Sequence, residues 1–467
     1  MTRRAGLAAL LGLGAGAVGI ASVRVGVDLV SLVVLLVGGL VVVTAGVLAL
    51  RRFAALVLLL LVVRPELDAV GHGSASAIGL IFIGACLWWL WSQWTRDRLV
   101  PPSAAVWALL GLVGTSALST LGSHVPTLSA TTAARLAAGV LMFVVVEQLV
   151  RTRALTASAV HRALATSAVI VCGHVLVQVV TGTSPVDSDT GLSRVTGPFV
   201  HPSVLGKYVA VLAVLMLARA VWDRSGHRLL WAAGTVATGT VVLLTYTRAA
   251  WIAVALGALV LAYRRDRRWL PVILAVGILV VAVTPSLNQR VVDIWDPPPP
   301  PPGAPESSLA WRWGYWQDLM PLGWLNPATG VGFGVVPTMR SEGLLPHNVW
   351  VQAWVELGAL GVAALVAVVV GCVVTLRRAG RALAAREAEG RAGFEAALAV
   401  ALGLLTVTLT ENLLDETTTL WVAGAVLATG WSVPGARESR PDPPWWLGRS
   451  GWRARRSRPA RGVPTPR

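Results

Sequence analysis

Apolar segments long enough to cross a lipid bilayer recur along almost the whole chain. A helix needs about 20 predominantly apolar residues to span a hydrocarbon core of roughly 30 Å. Apolar residues make up 55% of the 467 and charged residues 13%, whereas globular domains average about 25% charged. The sequence therefore predicts an all-α, polytopic transmembrane bundle of twelve to fourteen spans, and it excludes a large soluble core.

The apolar runs give the predicted spans, and one of them is ambiguous. Segment 53–63 is too short to cross a bilayer alone, so whether it spans is left open. The runs are 5–22, 27–50, 53–63, 74–94, 104–121, 132–150, 160–182, 203–220, 228–246, 248–263, 269–284, 349–376, 393–412 and 417–432.

The distribution of charge predicts the orientation of the bundle. Most of the 39 basic residues fall in alternate loops and in the tail, as the positive-inside rule requires if both termini are cytoplasmic. Segment 285–348 is then a large external loop that carries short amphipathic helices. The net charge of +16 thus reflects topology and contact with anionic membrane lipids, and it predicts no nucleic-acid partner.

This pattern divides the chain into five parts. They are N-terminal transmembrane helices (1–182), central transmembrane helices with external turns (183–284), the external loop (285–348), C-terminal transmembrane helices (349–432) and a basic cytoplasmic tail expected to be disordered (433–467). All three cysteines lie in apolar runs, which predicts neither a disulfide framework nor a zinc site. Asp187-Ser188-Asp189 fits a D-x-D metal motif, but so short a pattern often arises by chance.

Polar residues concentrate in four external segments: 183–208, 245–251, 285–348 and 411–416. External basic residues oppose the topological bias, so those that gather in one cavity would form an anion site. Arg248 begins an apolar helix, where it either binds a phosphate through its planar fork or snorkels to the interface. His201 and Lys207 lie at the start of another span, where Ser203 is expected to cap the helix.

The external loop holds three further candidate features. Arg312 lies among aromatic residues, including Trp316, that either anchor a surface helix in the headgroup region or stack on sugars. Glycines at 330, 332 and 334 form either a tight turn or a diphosphate-binding loop. His347 and Asn348 precede a long helix, where His347 either caps the helix or transfers protons. Glu356 lies deeper in that helix and is expected to face the same cavity.

The order of these motifs resembles the O-antigen ligase and O-antigen polymerase family of bacterial envelope glycan enzymes. The matching pieces are GPFVHPSVLGKY (197–208), TYTRAAW (245–251), Arg312 with Trp316, GVGFG (330–334) and HNVWVQAWVELGALG (347–361). The chain departs from the family pattern at Ser203, Thr247 and Ala249, where asparagine, serine and glycine are usual.

The resemblance implies a GT-C-like membrane glycosyltransferase in the bacterial cytoplasmic (inner) membrane, with its active site on the external face. The donor is expected to be a polyprenyl-diphosphate-linked glycan, and the acceptor a glycan, a lipid or a protein. Because this donor is already activated, we expect no cofactor, metal or nucleotide. His347 is assigned as general base, and Arg248 and Arg312 as catalytic cations that hold the diphosphate. The expected substrate-binding residues are Lys207, Arg194, His201, Asn348, Glu356 and Trp316.

A transporter or flippase of a lipid-linked glycan is the main alternative. It would need the same anionic cavity but polar residues deep in several spans, accessible from both sides in turn. The predicted spans are almost free of charge, and the polar residues cluster on one face. This arrangement favours an enzyme over a transporter, and a purely structural scaffold would leave the external arginines unexplained.

Overall fold

The computed structural model describes residues 46–48, 51–69, 72–186, 193–224, 226–292, 309–340, 343–382 and 388–432. These residues are predominantly helical and include no β-strand, only one isolated bridge between Val186 and Ser193. The prediction of an all-α membrane protein is confirmed. Segment 5–22, most of 27–50, the D-x-D motif at 187–189 and the tail 433–467 lie outside the described residues.

The first nine helices of the described chain cover its N-terminal and central parts. They are α1 (Phe53–Ala69), α2 (His72–Trp94), α3 (Ala104–Ser119), α4 (Pro126–Arg151), α5 (Ala157–Val180), α6 (Pro202–Trp222), α7 (Arg228–Leu244), α8 (Arg248–Arg265) and α9 (Trp269–Val283). A short 3₁₀ helix, Thr120–Gly122, follows α3.

The later helices include the short elements of the predicted external loop. They are α10 (Pro285–Val292), α11 (Leu309–Leu319), α12 (Val336–Met339), α13 (Val349–Gln352), α14 (Gly358–Arg381), α15 (Ala388–Val407) and α16 (Thr417–Trp431). A 3₁₀ helix, Met320–Leu325, follows α11, and a π-helical turn, Ala353–Leu357, joins α13 to α14.

Six helices of the described chain are long and apolar enough to cross a membrane. They are Ala104–Gly122, Pro126–Arg151, Ala157–Val180, Pro202–Trp222, Val349–Arg381 and Gly390–Val407. The other predicted segments from 53–63 onward also coincide with helices, but whether these cross a membrane stays a prediction. The helix that contains the ambiguous run 53–63 is longer than that run, because α1 continues through Pro65 to Ala69.

Helices α4 and α6 form the centre of the bundle and are the most deeply buried of the candidate spans. Close approach of helices needs small residues at the contact. Gly424 of α16 packs on Phe143 of α4 in this way, and Gly257 of α8 packs on Val214 of α6. The Trp421 indole is buried and donates to the backbone carbonyl of Ala138 at 3.0 Å. This packing fixes α4, α6, α8 and α16 relative to one another.

The two ends of the bundle differ in the segments that they contain. Hydrogen bonds of Arg194, Lys207 and Arg312 bring the four predicted external segments together at one end, which we call the site end. At the opposite end, the C-terminal half of α8 carries Arg264, whose guanidinium makes two bonds of 2.9 Å with Glu395 of α15. The predicted grouping of polar segments therefore exists in three dimensions.

Candidate functional site

Lys207 lies at the centre of the polar contacts at the site end. It is in the second turn of α6, and its side chain is buried. The ammonium donates to the backbone carbonyl of Asn412 at 2.8 Å, forms an ion pair with Glu416, and lies 3.6 Å from Glu411. A buried ammonium requires such partners, because charge is costly to remove from water. Lys207 therefore holds the segment between α15 and α16 against α6.

Glu411 is shared among three basic side chains. One carboxylate oxygen lies 3.6 Å from Lys207 and 3.8 Å from Nδ1 of His347, and the other lies 3.8 Å from Arg312. Burial by itself would raise the pKa of Glu411, but Lys207, His347 and Arg312 outweigh it and lower that pKa to about 2. The carboxylate is therefore ionised at neutral pH and joins three of the predicted site residues.

His347 is held by its backbone as well as by its side chain. Its φ of 50° lies in the left-handed region, which is uncommon for a residue with a side chain and is often found at functional sites. Its N–H donates to Oδ1 of Asn412 at 2.9 Å, and its Nδ1 lies 3.4 Å from the Asn412 amide nitrogen. The ring is partly exposed, at 27%, so it remains accessible to a substrate.

Asn348, and not His347, caps the helix that follows. Its side-chain oxygen accepts from the backbone N–H groups of Trp350 and Val351, and its amide donates to the carbonyl of Leu409 at 3.1 Å. Because Asn348 performs the capping, the alternative role of His347 as a cap is wrong. Through its bond to Leu409, Asn348 holds the neighbouring His347 against the segment that follows α15.

Arg312 reaches the same segment from the surface helix α11. Its guanidinium donates to the carbonyl of Thr410 at 2.7 Å, next to Glu411. Two aromatic residues of α11 fix it to the irregular segment before His347. Tyr315 donates to the backbone carbonyl of Leu344 at 2.7 Å, and Trp316 donates to that of Pro346 at 2.6 Å. Trp316 thus holds α11 against the segment that precedes His347.

Arg248 begins α8 directly after a tight turn that packs against the start of α6. Arg194 is buried, and its guanidinium donates to the carbonyl of Thr245 at 2.9 Å and lies 3.4 Å from the Thr247 hydroxyl. The same two threonines contact Gly206, beside Lys207. Arg194 therefore supports the turn that presents Arg248, which is itself half-buried.

His201 lies close enough to Arg194, Lys207, His347 and Glu411 for their charges to change its pKa. Burial lowers its pKa, Arg194, Lys207 and His347 lower it further, and Glu411 opposes them. His201 also caps α6, because its Nδ1 accepts from the backbone N–H of Ser203 at 3.2 Å. The predicted cap at Ser203 is therefore two residues too late: the helix begins at Pro202, whose fixed φ suits a first helical residue.

The glycine loop, Gly330–Gly334, is closed by internal hydrogen bonds. The carboxylate of Glu356 accepts from the backbone N–H groups of Gly334 at 2.9 Å and Val336 at 3.2 Å, and from the Gln352 side chain. The N–H of Phe333 donates to the hydroxyls of Ser119 and Ser129. These donors are occupied, which favours the tight-turn interpretation over a diphosphate cradle.

Glu356 does not face the cavity of His347, as the sequence predicted, but contacts the glycine loop. It is fully buried in the π-helical turn and does not share a contact with His347 among the described interactions. Its carboxylate faces the glycine loop from within this π-helical turn, a feature that is frequent at functional sites. The position supports a role in holding the loop rather than direct substrate contact.

Sequence reasoning did not assign a role to the residues that join the site together. Segment 411–416 was recognised as polar and external, yet Glu411, Asn412 and Glu416 were not among the candidate residues. The available signal was four polar side chains in six residues between two apolar helices. What the sequence does not show is that this turn lies between α6 and the His347 segment.

The arrangement combines cations with one exposed proton acceptor. Arg312 and Lys207 flank an ionised carboxylate, and that carboxylate faces Nδ1 of His347. Two groups face Nδ1 of His347: the carboxylate of Glu411 at 3.8 Å and the amide nitrogen of Asn412, a donor, at 3.4 Å. No group of His, Cys, Asp and Glu side chains suited to a metal ion occurs among the described residues.

Comparison with known protein families identifies the domain in which these residues lie. A family model described as O-antigen ligase matches residues 233–366. The match includes Arg248, Arg312, the glycine loop and His347, whereas Lys207 and Glu411 lie on either side of it. No curated protein matches the chain. The resemblance found in the sequence is confirmed by this match.

Proposed function

Because residues 233–366 match the O-antigen ligase family, we propose that this chain is a membrane glycosyltransferase of the O-antigen ligase type. It transfers a glycan from a polyprenyl-diphosphate donor to a lipid, glycan or protein acceptor on the outer face of the cytoplasmic membrane. The observation that carries the proposal is the placement of the buried Glu411, whose carboxylate lies within 4 Å of Lys207, Arg312 and His347 at one end of the bundle.

In this mechanism, the partly exposed imidazole of His347 accepts the proton of the acceptor hydroxyl. The hydroxyl oxygen forms a bond to the anomeric carbon of the donor glycan, and the bond between that carbon and the diphosphate oxygen breaks. The electron pair leaves with the diphosphate, where Arg248 and Arg312 stabilise the growing negative charge. Glu411 stabilises the imidazolium that results, as an oriented carboxylate does beside a catalytic histidine.

The direct test is glycan transfer by the purified full-length protein in detergent, from a defined polyprenyl-diphosphate glycan and without ATP or an ion gradient. We expect transfer by the wild type and its loss in His347→Ala and Arg248→Ala. Matched controls are His124→Ala, which removes an exposed histidine that contacts Thr338, and Arg267→Ala, which removes an exposed arginine that contacts Tyr263. Wild-type transfer by both site variants would refute the mechanism.

A complementary test uses a deletion strain of the source organism. Loss of full-length envelope glycan and accumulation of its lipid-linked precursor, restored by the wild type and not by His347→Ala, would support transfer. A requirement for ATP or a gradient would instead favour the transporter. The lengths of the glycans formed would separate polymerisation from ligation of finished chains.

A further inference from the structure

A cavity lies at the end of the bundle opposite the candidate site. Its volume is about 250 Å³, and it is bounded by the C-terminal ends of α6 and α8, the N-terminal ends of α7 and α15, and the turn between α6 and α7. Trp222, which lines it, is the last residue of α6, whereas Lys207 lies in the second turn of that helix. About 22 Å of helix axis separates the two residues. The cavity is therefore remote from the groups proposed to act in transfer.

The charged side chains that line this cavity are mainly basic. They are four guanidiniums and one carboxylate, from Arg224, Arg228, Arg265, Arg391 and Asp223. The carboxylate already accepts from the Trp231 indole at 2.7 Å and from Arg219 at 3.3 Å. A cleft lined by charges of one sign concentrates counter-ions of the other sign. The cavity therefore favours a negatively charged ligand.

Three buried nitrogen donors near this cavity lack a hydrogen-bond partner within the described part of the chain. They are Nε1 of Trp222 and two nitrogens of Arg219, Nε and Nη1. Trp222 is 5% exposed, and Arg219, one helical turn earlier, is 3% exposed. Buried donors are almost always satisfied by protein, water or a ligand. Because all three atoms are donors, the group that satisfies them must be an acceptor.

A phosphate group matches both the charge of the cavity and its surplus of donors. An ionised phosphate diester carries acceptor oxygens and no donor, and a guanidinium binds phosphate oxygens through two parallel N–H bonds. A sugar hydroxyl, by contrast, would bring a further donor to this wall. Basic residues collect in loops for topological reasons alone, but topology does not leave an indole N–H without a partner in a cavity wall.

The surface beside the cavity indicates that a membrane lipid carries the phosphate. Leu229 and Leu230 follow Arg228 in the first turn of α7, and they are 84% and 70% exposed. Apolar side chains that are exposed on a membrane bundle face hydrocarbon. Basic pockets between transmembrane helices are typical sites for anionic lipid headgroups. A lipid whose phosphate lies at Arg228 can therefore extend its acyl chains along the two leucines.

We propose that this cavity binds the phosphate group of an anionic membrane lipid. The guanidiniums of the cavity hold the phosphate oxygens, the indole N–H of Trp222 donates to one of them, and the acyl chains lie along Leu229 and Leu230. The proposal does not rest on the transferase function, because none of these residues belongs to the candidate site. His347→Ala should therefore bind the lipid as the wild type does.

Photolabelling of the full-length protein in phosphatidylcholine nanodiscs tests this site. The probe is a phosphatidylglycerol with a diazirine in one acyl chain, compared with a phosphatidylcholine that carries the same chain. We expect the phosphatidylglycerol probe to label the peptide that contains Leu229 and Leu230, and unlabelled phosphatidylglycerol to compete. Equal labelling of this peptide by the phosphatidylcholine probe would overturn the proposal in favour of a non-specific apolar surface.

A competition experiment distinguishes a lipid from a soluble phosphate. Inorganic phosphate and potassium chloride are added at the same ionic strength, so that both screen surface charge equally. We expect the two salts to have the same effect on labelling by phosphatidylglycerol. Loss of labelling in phosphate alone would overturn the lipid as the carrier and leave a site for a soluble phosphate.

Arg228→Gln removes one guanidinium from the cavity wall and should reduce labelling about tenfold, the effect of losing one charged hydrogen bond. Arg267→Gln is the matched control, because it removes an exposed arginine of the α8–α9 turn that contacts Tyr263 and does not line the cavity. It should label as the wild type does. An equal reduction in both variants would overturn the proposal in favour of attraction by surface charge.

Trp222→Phe separates a specific site from a basic surface, because it removes the indole N–H and leaves every charge in place. Labelling should fall about fivefold, since a neutral hydrogen bond contributes less than a charged one. Wild-type labelling by this variant would contradict the proposal. If the loss of the buried indole prevents folding, Arg228→Gln decides the question, because Arg228 is exposed.

Discussion

The glycine loop and the cluster around Lys207 lie at the same end of the bundle and are both built on a buried glutamate. Glu356 directs its carboxylate at backbone N–H groups of the loop, so its contacts are structural and complete. Glu411 directs its carboxylate at basic side chains, and two of these, Arg312 and His347, are partly exposed. The two buried carboxylates therefore differ in their partners and not in their burial, and we propose a functional role only for the one whose partners include exposed basic side chains.

His347→Ala should produce the largest effect and the clearest separation of the two regions. Loss of a general base typically lowers a rate about 100- to 10,000-fold, while a partly exposed ring contributes little to folding. We expect transfer to disappear and the thermal unfolding temperature in detergent to change little.

Gly330→Val is the matching change in the loop. Its added Cβ would lie 2.2 Å from the backbone carbon of Glu356, at a φ of +70°. This variant should fail to accumulate as folded protein. If instead it folded normally and His347→Ala did not, the assignment of roles to the two regions would be reversed.

Lys207→Met should destabilise the site more than any change to its exposed members. It leaves Glu411 and Glu416 without their shared cation, and breaking a buried ion pair costs about 3–5 kcal/mol. Chemical denaturation in detergent measures the free energy of unfolding. Adding Glu416→Gln should restore part of the loss, because it removes one of the uncompensated charges; no recovery in the double variant would contradict the pairing.

Glu356→Gln should have an intermediate effect confined to stability. The amide can accept at only one of the two positions now used by the carboxylate, and an unsatisfied buried group costs about 1–3 kcal/mol. Activity per folded molecule should be retained. Glu66→Gln, which alters a more exposed carboxylate that contacts His174, is the control. A loss of activity at unchanged stability would indicate that Glu356 contacts substrate after all.

The pH dependence of stability should give the smallest effect. The pKa of Glu411 is lowered from 4.5 to about 2 in the folded state. Its contribution to stability is therefore complete above pH 4.5 and is lost as the pH falls towards 2. Unfolding temperatures measured from pH 6 to pH 3 should fall more steeply for the wild type than for Glu411→Gln. Parallel curves would mean that Glu411 is not paired as described.

Much of the site was predictable because its residues occur in short motifs at the ends of apolar segments. On that basis the sequence predicted Arg248, Arg312, His347 and Asn348. In the structure, Arg312, His347 and Asn348 all form hydrogen bonds with the same short segment, 409–412. The role of Glu356 was harder to predict, because helical spacing from His347 does not apply across a π-turn. The extent of α1 was underestimated because hydropathy alone ends it at the first charged residue.

The sequence by itself determined the class of the protein, the positions of the long helices from residue 53 onward and the segments in which polar residues concentrate. These properties are local: a bilayer selects apolar runs of fixed length, and charge can remain only at their ends. The tertiary structure alone decided which polar groups meet. Lys207 and Asn412 are brought together by packing among α6, α15 and α16, and no local pattern encodes a contact between residues so distant in the chain.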